Sequence, residues 1–156
     1  MPCCGRHHAT KGPTMLPGLD DAAAGTARRR LEDETEIWIT TVRADGQPQT
    51  SLVGFLWDGD RVLVLSQPGA GKLRNLRDNP RVSLHLDVDH ADGAGGGVVT
   101  LEGEAVVEEG PLAGDEAERY VDKYRAVIEA VGATPDDVLA GYSTLIRVTP
   151  TRARVY

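Results

Sequence analysis

Apolar and polar residues alternate in short runs over most of the chain. "IWITTVR" (37–43) is β-branched and alternating, "QTSLVGFLW" (49–57) repeats the pattern, and "RVLVLS" (61–66) follows. Between them stand "ADGQP" and "DGD", and Asp-Gly pairs are strong signals of tight hairpin turns. Three strands joined so closely run antiparallel, because parallel neighbours need long crossovers. "RVSLHL" (81–86) and "VVTLEGEAVVE" (98–108) are two further strands. In the second, Leu101, Gly103, Ala105 and Val107 share one face and Glu102 and Glu104 take the solvated face. "STLIRVTPTRARVY" (143–156) closes the chain as a strand that Pro150 interrupts, which predicts a bulge or an edge there. Strand alternation puts His85 opposite Leu84 and Leu86, as a surface or interface residue. Of the two tryptophans, Trp38 is expected to be buried more deeply than Trp57.

A different period marks the helices. From Asp115 to Val131, the residues Ala117, Tyr120, Val121, Tyr124, Ile128 and Val131 recur at three- and four-residue spacing, one buried stripe that Gly132 ends. Asp20 to Glu36 is rich in Ala, Arg and Glu and fits a helix capped by Asp20 or Asp21. Thr134 and Pro135 open a short helical turn over 134–142. Lys72 to Asp78 is a short helix, with Leu73 and Leu76 facing the core and Asn79-Pro80 as its stop. Six strands with helices between them and at one end predict an α+β fold built on a small closed or nearly closed antiparallel barrel. Residues 1–17 lack any hydrophobic period and read as a disordered leader, with Met15 as a candidate start. Residues 18–156 read as one domain.

Composition narrows the function. The 156 residues carry a net charge of -7, which argues against the broad cationic footprint of a nucleic-acid binder. No run is apolar enough for a membrane helix and no signal-peptide pattern is present, so a cytoplasmic protein is expected. Cys3 and Cys4 are adjacent and cannot staple a fold. "CCGRHH" matches no structural zinc spacing, so no metal site is expected. No nucleophilic triad or pair of carboxylates stands out.

The stretch "SQPGAGKLRNLRDNPR" (66–81) carries the most chemistry. Its Gly71-Lys72 pair suggests a P-loop, G-x-x-x-x-G-K-[ST]. The first glycine would then be residue 66, which is Ser66, and the residue after the lysine is Leu73 where Ser or Thr must hold magnesium. The antiparallel setting is wrong as well, and the triphosphate reading fails. A simpler anion site remains. A Gly-rich turn before a helix exposes N–H groups at the positive end of the helix dipole. Lys72 adds a full charge, and Asn75 lies three residues on along the same side. Ser66 backs the turn, while Arg74 and Arg77 read as solvated charges.

The ordered set "IWITTVRADGQPQTSLVGFLWDGD", "SQPGAGKLRNLRDNPRVSL", "VTLEGEA" and "RVTPTRARVY" resembles the pyridoxamine-5′-phosphate-oxidase-like split β-barrel family. It is similar to the actinobacterial branch associated with the deazaflavin coenzyme F420, over about Leu31 to Tyr156. The resemblance implies a six-stranded, FMN-binding-like split barrel and a homodimer with flavin-type sites at its interface. It assigns the cofactor's phosphate to Ser66, Gln67, Lys72 and Asn75, and the ring to the strand Gln49, Thr50, Ser51, Leu52 and Val53. The implied activity is hydride transfer from reduced F420 to a small unsaturated or quinone-like molecule. An FMN-dependent oxidoreductase and a flavin- or haem-binding module are the alternatives. Relatives carry Ser-Pro-Val-Trp-Phe where this chain has Ser51-Leu52-Val53-Gly54-Phe55, so the pocket wall at Gly54 differs.

Overall fold

A computed structural model describes residues 16–89 and 97–156. The elements run α1 (Asp21–Asp33), β1 (Glu36–Val42), β2 (Pro48–Trp57), β3 (Val62–Ser66), α2 (Gly71–Asp78), β4 (Arg81–Leu86), β5 (Val99–Glu109), α3 (Gly114–Ala130), α4 (Pro135–Gly141) and β6 (Thr144–Val155). The strands close into an antiparallel barrel in the order β1-β2-β3-β6-β5-β4. The β1–β2 and β2–β3 pairs are the hairpins that the Asp-Gly turn signals predict, and β4 pairs with β5 as well. Closure comes from two pairings between strands distant in sequence, β1 with β4 (Ile39 opposite Leu84) and β3 with β6 (Val64 opposite Ile146).

Alternation decides which side chains fill the barrel. Ile37, Ile39, Phe55, Trp57, Val62, Val64, Leu84, Leu101 and Ile146 point inward and form the main core. The opposite parity of β2, β3 and β6 gives Leu56, Leu63, Leu65 and Leu145, which α3 covers with Tyr120, Tyr124 and Ile128. Burying each such side chain stabilises the fold by roughly 1.5–3 kcal/mol relative to exposure.

Parity also corrects the reading of the tryptophans. Trp57 is in step with Phe55 and is buried inside the barrel. Trp38 is out of step with Ile37 and Ile39, so it lies half-buried on the outer surface. There it stacks on His85 with ring centroids 6.1 Å apart, and its Nε1 donates to Asp87 Oδ2 at 3.2 Å. At the far end of β5, Val107 is 38% exposed, although it stands opposite the buried Ile146 of β6. Val131 also stands outside the buried stripe of α3, at 71% exposure, one residue beyond the last helical turn.

Helix α1 stops at Asp33, three residues short of the predicted end. Its negative end collects Glu32, Asp33 and Glu34, a charge pattern that the helix dipole disfavours. Arg30 in its last turn is fully buried. It donates to Glu34 Oε1 at 2.5 Å and to the carbonyls of Asp87 and Gly97, tying α1 to the ends of β4 and β5. In α4, Thr134 and Asp137 form a capping box with Pro135 in the first turn. The irregularity expected at Pro150 is present. The β5–β6 register sets Glu102 opposite Arg152 but Gly103 opposite Pro150, so Thr151 is the extra residue of a bulge.

Leu16 and Pro17, assigned by sequence to the leader, belong to the folded part. Leu16 is buried in the barrel core, and the Pro17 carbonyl accepts from Ala153 N at 2.7 Å. An apolar residue followed by a proline without an N–H suits that edge position. The rest of the expected leader, with its Cys and His residues, lies outside the described residues, as do residues 90–96. Among the described residues no helix is long and apolar enough to cross a membrane, and no group of His, Cys, Asp and Glu could hold a metal ion.

Candidate functional site

The site begins where β3 stops following β2. The two strands pair only from Phe55–Val64 to Trp57–Val62. Continued in that register, Ser51 of β2 would meet Pro68. Proline has no N–H for a ladder, and Gly69 takes a φ of +86°, which turns the chain away. The half of β2 before Phe55 therefore pairs with β1 alone, Pro48 to Gly54 against Val42 to Glu36. Its other edge faces the turn at 67–70 and the start of α2.

A cavity of about 200 Å³ occupies this gap, lined by Thr41, Gln49, Thr50, Ser51, Gly71, Lys72 and Asn75. A wider groove of about 560 Å³ shares Gln49, Gly71 and Asn75 with it and continues past Arg43 and Arg74. Leu73 and Leu76 bury the inner face of α2 in the core, which leaves Lys72 and Asn75 toward the cavity. Asn75 is buried, and its Nδ2 donates to Thr41 Oγ1 at 2.9 Å and to Gln49 Oε1 at 3.0 Å. Those two bonds tie the helix to both strands of the β1–β2 ladder.

The electrostatics favour an anion. Helix α2 has no side-chain cap at Ala70 and no acidic residue in its first turn. Leu73 N bonds the Ala70 carbonyl at 3.0 Å, while the amides of Gly71 and Lys72 have no such acceptor among the described residues. Unsatisfied N–H groups at a helix start carry partial positive charge and attract phosphate. Lys72 is half-buried, and that burial alone lowers its pKa from the ordinary lysine value. An ammonium group losing hydration without a carboxylate in compensation gains from a bound anion. The donors present, an ammonium, backbone amides, the Ser51 hydroxyl and the Gln49 amide, fit the phosphate of a flavin-type cofactor.

Five of the nine predicted residues thus line one cavity: Gln49, Thr50, Ser51, Lys72 and Asn75. The other four stand apart. Ser66 is buried at the end of β3 and donates to the Gln67 carbonyl at 3.2 Å, while Gln67 is exposed on the turn. Val53 packs against the core, and Leu52, 45% exposed, lies on the outer face beside Trp38. Thr41 is the lining residue that sequence reading passed over. Its signal is the inward row Ile37, Ile39, Thr41, which ends in a hydroxyl where another aliphatic side chain would complete a plain core.

Gly54 has a physical explanation. A Cβ added there would lie 3.2 Å from the hydroxyl oxygens of both Tyr120 and Tyr124. The two rings stack with centroids 4.4 Å apart, and α3 uses them to occupy the space over residue 54.

Comparison with solved structures gives the same fold at low identity. An F420 reductase aligns with a TM-score of 0.64 at 23% identity, over 81% of this chain and 94% of its own. A protein provisionally named a pyridoxamine 5'-phosphate oxidase, from Listeria innocua, gives 0.57 at 21% identity over 84% and 95%. A haem storage protein from Vibrio cholerae gives 0.59 at 21% identity over 84% and 92%. The sequence profile described as "Pyridoxamine 5'-phosphate oxidase" matches residues 24–156, from within the first helix through the closing strand to Tyr156, and the chain belongs to that family.

Proposed function

We propose that this protein is a homodimeric, cytoplasmic reductase that uses the deazaflavin coenzyme F420 and acts on a small unsaturated or quinone-like substrate. The observation that carries the reading is Lys72: a half-buried cation, lowered in pKa by burial, at an uncapped helix start beside a polar strand edge. In this reading Lys72 and the amides of Gly71 and Lys72 hold the phosphate. Asn75, fixed by Thr41 and Gln49, keeps α2 at the right height over β2. The backbone and hydroxyl groups of Gln49 to Val53 meet the polar edge of the ring, and Ser66 and Gln67 shape the turn that delivers Lys72. Bound there, the reduced cofactor supplies the hydride, and the chain binds, orients and excludes water.

The same cradle suits FMN, since it reads a phosphate and both cofactors carry one. Titration of the purified protein separates them. Protein that is colourless as isolated and quenches the fluorescence of added F420 supports the proposal. Protein that is yellow and releases FMN on denaturation sinks it in favour of the FMN reading. Binding without loss of hydride across a panel of enones and quinones would mark a binding module. Lys72→Ala is expected to weaken cofactor binding at least tenfold, about 1.4 kcal/mol. Unchanged affinity would remove Lys72 from the site.

A further inference from the structure

The half-strand that borders the cavity is held at its far end by a side chain from another part of the molecule. The β1–β2 ladder ends with Glu36 opposite Gly54, so its next rung would pair Thr35 with Phe55. Tyr124 of α3 takes that place. Its hydroxyl accepts from Phe55 N at 2.7 Å, and the carbonyls of Thr35 and Phe55 lie 2.5 and 2.9 Å from it as acceptors for its proton. One phenol thus serves three backbone groups that a continued ladder would have joined directly. Gly54 makes room for it, since a Cβ there would lie 3.2 Å from the Tyr124 hydroxyl. From Phe55 onward β2 pairs with β3 instead, so the hydroxyl sits where the strand changes partner.

We propose that Tyr124 is a positioning residue: its hydroxyl, inserted between Thr35 and Phe55, fixes the twist and register of the β2 half-strand so that Gln49 and Ser51 meet Asn75 and Lys72 across the cavity. The consequence for binding rests on the cofactor reading above. Among the described residues the half-strand has β1 as its only ladder partner, so a loss at its anchor is not made good by a second neighbour. Tyr120, stacked on Tyr124, holds the ring in place, and burial keeps both phenols in the protonated form, as a hydroxyl that donates requires.

The test uses the full chain and three variants. Tyr124→Phe keeps the ring and removes the hydroxyl. Gly54→Ala presses on the hydroxyl from the strand side. Ile128→Val trims a buried residue of the same helix as a control for general loosening. Tyr124→Phe and Gly54→Ala are each expected to weaken F420 binding about fivefold, the scale of one hydrogen bond. Amide hydrogen exchange should speed up over residues 49–55 without ligand, while Ile128→Val changes neither. If Tyr124→Phe binds like the unaltered protein, or if Ile128→Val loses as much affinity, the positioning role is overturned. Should Tyr124→Phe not fold, Gly54→Ala decides by the same two readouts. Failure of the cofactor reading shows separately: Lys72→Ala then binds as the unaltered protein does, and the exchange over 49–55 still decides whether Tyr124 holds the strand.

Discussion

Lys123 shows how much a single side chain can be asked to bear. Its ammonium nitrogen lies 3.9 Å from the centroid of the Phe55 ring and is buried without a hydrogen-bond acceptor among the described residues. Burial lowers its pKa to about 8, and the charges of Asp33 and Glu34 offset only part of that. The folded state therefore releases this proton more readily than the unfolded chain. Below pH 8 both states hold it and the cost of burying the charge is present in full. As pH rises from about 8 toward the ordinary value of 10.5, the unfolded chain alone stays protonated and stability increases. The urea midpoint is expected to climb over that interval up to about pH 10. There the phenols of Tyr120 and Tyr124, raised by burial, begin to act in the opposite sense. Lys123→Met should raise the midpoint at pH 7 and flatten the climb; a climb that persists in the variant would assign it to another group. Side chains on one local face, such as Lys72 and Asn75, were legible from their spacing. The Tyr124 contact was not, because no local period links residues 124 and 55.

Elements were legible wherever turn chemistry and period agreed. The Asp-Gly turns gave two hairpins, and the stripe of α3 gave its buried face. The expected irregularity at Pro150 appears as the Thr151 bulge. What the strand pattern could not convey is how closely β5 and β6 approach there. A Cβ on Gly103 would lie 2.7 Å from the Thr149 carbonyl oxygen and 2.8 Å from Val148 Cγ1, and the first of these is backbone that cannot swing aside. Gly103→Ala is expected to cost about 1–3 kcal/mol by urea denaturation, the usual range for overpacking. Gly25→Ala offers the contrast. It lies within α1 with nothing within 4 Å of the added carbon, and it should stabilise by about 0.5–1 kcal/mol. Equal effects at the two sites would show that backbone freedom, rather than contact, decides both.

For the whole molecule, hairpins and parity carried the barrel most of the way, and long-range closure supplied the rest. The β1–β4 and β3–β6 pairings join segments separated by helices and loops, and no short window of sequence encodes them. The cavity likewise depends on where β3 leaves β2, which Pro68 and Gly69 mark in the sequence without saying what lies opposite. That departure has a cost in colloidal behaviour. An unpaired strand edge is a template on which another chain can add, and proteins usually blunt such edges with charge, proline or a covering element. Here the edge of β2 is also the wall of the proposed site, so whatever binds there covers it. Saturation with cofactor should therefore slow aggregation of stored protein, followed by light scattering, beyond what the gain in unfolding free energy accounts for. Equal scattering from the empty and saturated protein, matched for distance below the unfolding midpoint, would show that this edge takes no part in self-association.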